Sequence, residues 1–209
     1  MITLSEIEQD AMVESFNISV GRAAASLSEM LGREVILSIP EIEILRRDEV
    51  EKKVGEEGKR DIDGVCQQFS GPFSGRALLL FPAENSLELV RILLREEVDM
   101  AFLTEMEEEA LLEVGNILLN ACLSNFSHLL DHEITTDIPS SLKGSIHEII
   151  MRESEKKNED YVLLLRMAFV VKEADIAGYI AFLMDIQALD LFRQKLAAYF
   201  GYSYEIPSP

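Results

Sequence analysis

The sequence has no tryptophan, only two cysteines and three histidines, and just 11 glycines and 6 prolines in 209 residues. Each shortage excludes something. Cys66 and Cys122 are too few for a disulfide scaffold. Little Gly and Pro beside 48% apolar residues excludes disorder as the main state. No run approaches the ~18 uninterrupted apolar residues of a membrane span. His128, His132 and His147 do not fall in a metal-ligand spacing with acidic or Cys partners, although His128 and His132 could share a helix face. Basic residues are also scarce: 19 Lys and Arg against 38 Asp and Glu give a net charge of −19 and a pI near 4.5. Nucleic acid and anionic lipid would both be repelled, so neither is expected as a partner. The opening residues MITLSEIEQDAM are polar and acidic, unlike a secretory leader, and the expectation is a reduced, cytoplasmic protein.

What the sequence does contain is a repeat. Leu4–Pro40 lies over Leu103–Pro139 at a constant offset of 99 without a gap, with 12 identities in 37 positions. The pairs include Glu8/Glu107, Glu14/Glu113, Asn17/Asn116, Ile39/Ile138 and Pro40/Pro139. Duplication of one unit is the economical explanation. The expected architecture is a single domain over 1–209, built of two repeats, about 1–100 and 101–209.

Each repeat opens as a long helix. Ser5 or Thr104 can cap it, acidic residues fill the first turn, and apolar residues recur every three to four positions. Gly32 reads as a helix stop. A strand then runs through Pro40 into Glu41–Leu45. Residues 46–63 are highly charged and read as a short helix and a solvated loop. Val65–Phe69 and Gly75–Phe81 form a hairpin about Ser70-Gly71-Pro72, and Pro82–Leu94 a helix. In the second half Ser145–Lys156 is helical, Tyr161–Val171 pairs with Ile176–Asp185 around the acidic link Lys172–Asp175, and Gln187–Phe200 is a helix. Each half is thus αβαββα. Hairpins imply antiparallel pairing and an α+β, pseudo-two-fold fold, with the two long helices on an exposed face.

Asp10, Glu14 and Asn17 fall at i, i+4 and i+7, within about 60° of one another on one helix stripe. Glu109, Glu113 and Asn116 form the equivalent stripe in the second repeat. Asp10-x3-Glu14-x2-Asn17-x22-Pro40 resembles the motif of the CheC family of chemotaxis phosphatases, related to CheX and to the phosphatase part of FliY. Glu113-x2-Asn116-x22-Pro139 is similar, with Glu109 in place of the usual Asp or Ser. The segments NISVGRAAASLSEMLGREV and GPFSGRALLLFPAENSLELVRILL also look like family segments, so the likeness runs from Leu4 to about Phe200.

The resemblance implies hydrolysis of the aspartyl phosphate of a CheY-type response regulator. Asn17 and Asn116 would hold the attacking water, because a carboxamide donates and accepts while remaining neutral. Glu14 and Glu113 would pair with the regulator's Lys, and Asp10 and Glu109 would assist docking. The Mg²⁺ would be the regulator's, so no cofactor or metal of the chain's own is expected. CheD, the receptor deamidase, is a further partner that the resemblance brings in. The competing expectation is a regulatory binding module without turnover, associated with CheD or the flagellar switch. Phe16 stands before Asn17 where the family has Gly, whereas Gly115 keeps the pattern. Gly115 is expected to leave the backbone beside Asn116 open to a partner, while Phe16 either packs inward, harmlessly or by turning the stripe, or projects outward and obstructs docking at the first site. The second site is therefore expected to be the more active.

Overall fold

The computed structural model describes residues 2, 4–55, 61–93, 103–152, 161–171 and 174–204. In chain order these form α1 (Glu6–Leu31), β1 (Val35–Arg46), α2 (Arg47–Gly55), β2 (Ile62–Ser70), β3 (Ser74–Pro82) and α3 (Ala83–Leu93). There follow α4 (Leu103–Leu130), β4 (Thr135–Thr136), β5 (Ser140–Gly144), α5 (Ile146–Arg152), β6 (Tyr161–Val171), β7 (Ala174–Met184) and α6 (Ile186–Phe200). The order matches the expected αβαββα in each half, with the second half's first strand broken in two at Pro139. The link residues 172 and 173 and the end of the expected helix at 153–156 lie outside the described residues.

Local chemistry sets the helix ends. Ser5 accepts from the Glu8 N–H while the Glu8 carboxylate accepts from the Ser5 N–H, a reciprocal cap that satisfies free donors at the start of α1. Gly32 closes α1 in the left-handed region at φ 62°, where a residue without Cβ is unstrained. Its counterpart Asp131 ends α4 at φ 54°, a conformation that Asp tolerates better than most residues. Asp185 accepts from the Ala188 N–H at 2.7 Å and caps α6, so it ends the preceding strand rather than continuing it.

All pairings in the sheet are antiparallel, in the order β1-β6-β7-β3-β2-β4, with β5 also on β2. Replacing each strand by its counterpart in the other half returns the same order read backwards. The first repeat's β1 thus pairs with the second repeat's β6, and the second repeat's β4 and β5 pair with the first repeat's β2. The inner strands are buried on both faces, which explains the continuous apolar runs of β3, β6 and β7.

Two cores result. The larger lies between the sheet and α1, α4 and α6, and holds Phe16, Phe69, Phe126, Phe182 and Phe192. The smaller lies on the opposite face under α2 and α5 and includes Val50, Val54, Ile146, Ile149 and Ile150. The short helix expected within residues 46–63 is α2, and residues 56–60 of the expected loop lie outside the described residues. Asp48, Glu51, Lys52 and Lys53 are exposed, but Val50 and Val54 are buried against the sheet, which the reading as a solvated surface segment missed. A helix of nine residues needs only two such anchors, too few to show as a periodic signal amid charge.

Candidate active site

β1 carries a register shift between Ser38 and Glu41, at the proline. Pro40 has no N–H, so the ladder is interrupted there and the backbone of Ile39 needs other partners. Asn17 supplies them. Its Oδ1 accepts from the Ile39 N–H at 2.8 Å, and its Nδ2 donates to the Ile39 carbonyl at 3.2 Å. The carboxamide thus acts as a substitute strand residue. Gln9 Nε2 donates to the Ile42 carbonyl at 3.1 Å, and Ser28 Oγ accepts from the Val35 N–H at 2.9 Å. Three polar side chains of α1 therefore hold β1. Asp10 and Glu14 are exposed on the same helix.

The second half solves the same problem differently. The counterpart of the buried Ile39 is Ile138, which is 90% exposed, and Asn116 makes no bond to it. Instead Gln67 of β2, almost completely buried, donates from Nε2 to the Asp137 carbonyl at 3.2 Å and to Asn120 Oδ1 at 3.2 Å. Asn120 Nδ2 in turn donates to Asn116 Oδ1 at 2.8 Å. The Asn116 carboxamide is half-buried, and its Nδ2 has no partner among the described residues. Glu109 and Glu113 are exposed on α4. The structure does not bring the two stripes into one composite site. α1 and α4 pack side by side on one face of the sheet, but Asn17 faces the β1 edge and Asn116 the opposite edge, beside β4 and β5.

The structure decides the orientation of Phe16 and corrects the expectation for Gly115. Phe16 is fully buried, with its ring 5.8 Å from that of Phe126 and 5.9 Å from that of Phe182. It neither covers Asn17 nor faces a partner. Gly115 also faces inward, and a Cβ there would stand 2.7 Å from Val65. Its role is to let α4 lie close on β2. Gln67 and Asn120 were missed from the sequence. A signal was available: Asn120 lies one turn beyond Asn116, where the first repeat has Gly21.

Electrostatics separate the halves as well. Burial opposes ionisation of Glu8, but the Ser5 backbone N–H, Arg193 and the Ser5 hydroxyl outweigh it and hold the carboxyl below its ordinary value. Arg193 Nη2 donates to Glu8 Oε1 at 2.7 Å, and both side chains are buried. Glu107, the repeat counterpart, is pushed up by burial, against the opposing pull of Lys143. Asp63 is raised for the same reason, despite a Lys143 ammonium 3.9 Å away. Burial pushes the Cys122 thiol up to about 12, so it is not available as a thiolate nucleophile.

No protein-family profile matches the chain. Over 141 residues it is 25% identical to the CheY-P phosphatase CheC of Bacillus subtilis (strain 168), a match covering 65% of this chain and 66% of that protein. Over 175 residues it is 21% identical to the flagellar motor switch phosphatase FliY of the same organism, covering 83% of this chain and 44% of FliY. The chain is thus similar to proteins of the CheC/CheX/FliY group. It spans just under two thirds of the length of CheC and less than half of FliY. The α+β fold agrees with that of Thermotoga maritima FliY, which superposes with a TM-score of 0.75 at 17% identity over 94% of this chain and 99% of that one. Within this fold, Asn17 is committed to the backbone of β1, while Asn116 keeps an amide end free.

Proposed function

We propose that this chain hydrolyses the aspartyl phosphate of a CheY-type response regulator, at the α4 site. The observation that carries the reading is Asn116. It is a half-buried carboxamide, held at its oxygen, with Nδ2 free, one helical turn from the exposed Glu113. The similarity to a protein named a CheY-P phosphatase supports the choice of substrate. An acyl phosphate is already activated, so holding a water in line with the P–O bond is most of what a catalyst must do. A neutral amide does this without adding negative charge beside the phosphoryl group. Glu113 would pair with the regulator's active-site Lys, and Glu109 would extend the docking stripe. Asp10, Glu14 and Asn17 would form a second, weaker docking stripe. The Mg²⁺ would be held by the regulator.

The test is the decay of phosphorylated regulator with and without this chain, and with Asn116→Ala. Faster decay that disappears in the variant is expected; no acceleration by the unaltered chain would remove the enzymatic reading. A second reading, a binding module without turnover, is favoured by the Asn17 clamp. That clamp gives the Asn-x22-Pro spacing a purely structural use. Under that reading the chain binds the regulator or a CheD-type partner, and phosphoryl lifetime is unchanged.

A further inference from the structure

The relay from Gln67 to Asn116 has a direction, and one backbone atom sets it. The Asp137 carbonyl can only accept, so the end of Gln67 facing it is Nε2. The other hydrogen of that Nε2 must meet an acceptor, which makes the facing atom of Asn120 its Oδ1. Asn120 then turns Nδ2 toward Asn116, whose facing atom can only be Oδ1. Turning any one of the three amides would set donor against donor or acceptor against acceptor. The orientation of Asn116 is therefore imposed from the strand edge, through groups that are buried at Gln67 and half-buried at Asn120. The first repeat has no such relay, because Gly21 stands for Asn120 and, by the strand register, Met167 of β6 stands for Gln67. There Asn17 itself holds the strand. In the second half Gln67 takes over the strand carbonyl, and Asn116 is released from that duty.

We propose that Asn120, backed by Gln67, is a positioning residue: it fixes which end of the Asn116 carboxamide is offered to the reacting water. The proposal rests on the phosphatase reading of Asn116 and adds to it two residues outside the family-like motif. With Oδ1 held, Nδ2 is the exposed end and donates to the water oxygen, while the second lone pair of Oδ1 remains able to accept a water proton. The water is thereby oriented as well as located.

Asn120→Asp is the decisive variant. It keeps the shape and can still accept from Gln67, but an ionised carboxylate cannot donate to Asn116 Oδ1, so the Asn116 amide turns Nδ2 inward. Dephosphorylation of a CheY-type regulator, charged with a small-molecule phosphodonor, is followed as a function of regulator concentration. The expected result is a kcat about 10- to 100-fold lower with KM unchanged, the size of effect that misplacement of a reacting group produces. Asn120→Ala should lower kcat to a similar extent, and thermal melting shows whether each variant is folded. If Asn116→Ala abolishes turnover while both folded Asn120 variants keep the wild-type kcat, the positioning role is wrong and the phosphatase reading stands. If the unaltered chain has no turnover, the phosphatase reading fails and the proposal falls with it. The geometry has its own readout without turnover. Side-chain amide protons of Asn120 should exchange with solvent more slowly than those of Asn116, and equal exchange would overturn the relay.

Discussion

Asn17 and Asn116 are the same residue at the same place in two similar repeats, yet their surroundings give them opposite duties. Replacing Asn17 by Ala leaves the N–H and C=O of the buried Ile39 without partners, at a cost of about 1–3 kcal/mol for each unsatisfied group. Urea unfolding of Asn17→Ala should show that loss, while the variant keeps most of the proposed phosphatase activity. Asn116→Ala should do the reverse, changing stability by less than about 1 kcal/mol and removing most activity. Equal effects of the two changes on activity would mean that the clamp opens when the regulator docks. Phe16 is a structural residue for a similar reason. Its ring lies in a cluster in which Phe126 and Phe192 stand 4.7 Å apart and Phe126 and Phe182 4.8 Å apart. Phe16→Gly should therefore not improve the first site. It should cost about 3–5 kcal/mol in stability, measured by thermal or denaturant unfolding.

The packing of α4 on β2 depends on the absence of one side chain. A Cβ at position 115 would lie 2.7–2.8 Å from three atoms of Val65, and both positions are buried. Gly115→Ala should cost about 1–3 kcal/mol by overpacking, even though Ala is the better helix former. Adding Val65→Ala should recover part of that loss, so the two changes should be markedly non-additive in a double-mutant cycle. Because α4 carries Asn116 and β2 carries Gln67, the same lifting of the helix should stretch the relay and lower kcat. The contact between α1 and α6 depends instead on charge. Glu8 serves both the N-cap of α1 and Arg193 of α6, and Tyr204 lies over the Arg193 guanidinium at 4.9 Å from its ring centre. Removing Arg193 strands a buried carboxylate, and Arg193→Leu should cost about 3–5 kcal/mol.

In the whole molecule these carboxyls set an acid response of two signs. Glu8 is held below its ordinary value of 4.5 in the folded state, so its contribution is complete above that value and is lost as pH falls through the folded one. Asp63 and Glu107 are raised above ordinary values of 3.8 and 4.5, so their ionisation weakens the folded state, and acidification through that window restores stability. Denaturant midpoints should therefore rise slightly from neutral pH toward the carboxylate range and then fall steeply. Asp63→Asn should flatten the first part, and Arg193→Leu the second. The strand order makes a further whole-molecule proposal, that the two repeats fold as one domain. Among the described strands β1 pairs with β6 of the other half. Residues 1–100 expressed alone should thus fail to give a cooperative unfolding transition, and limited proteolysis should release no stable half.

Much of this was legible in the sequence, since helix periodicity, the Ser5 and Gly32 caps and the hairpin turns act between neighbours in the chain. The αβαββα order and the two candidate stripes followed from such local signals, as did the α+β class. What the local pattern could not show is which partner each group meets across the fold. A charge-rich segment hid two core valines, because burial of so few residues leaves no period. Gly115 was read as facing a partner and the direction of Phe16 was open, but helix-on-sheet packing turns both inward. Identical Glu and Asn pairs were given the same role, differing only in access. Tertiary structure makes them different, because Arg193 meets Glu8 and not Glu107, Ile39 meets Asn17 while Ile138 is exposed, and Gln67 reaches Asn116 through Asn120. A carboxamide or a carboxyl takes its role from the donors and acceptors around it, and those come from distant parts of the chain.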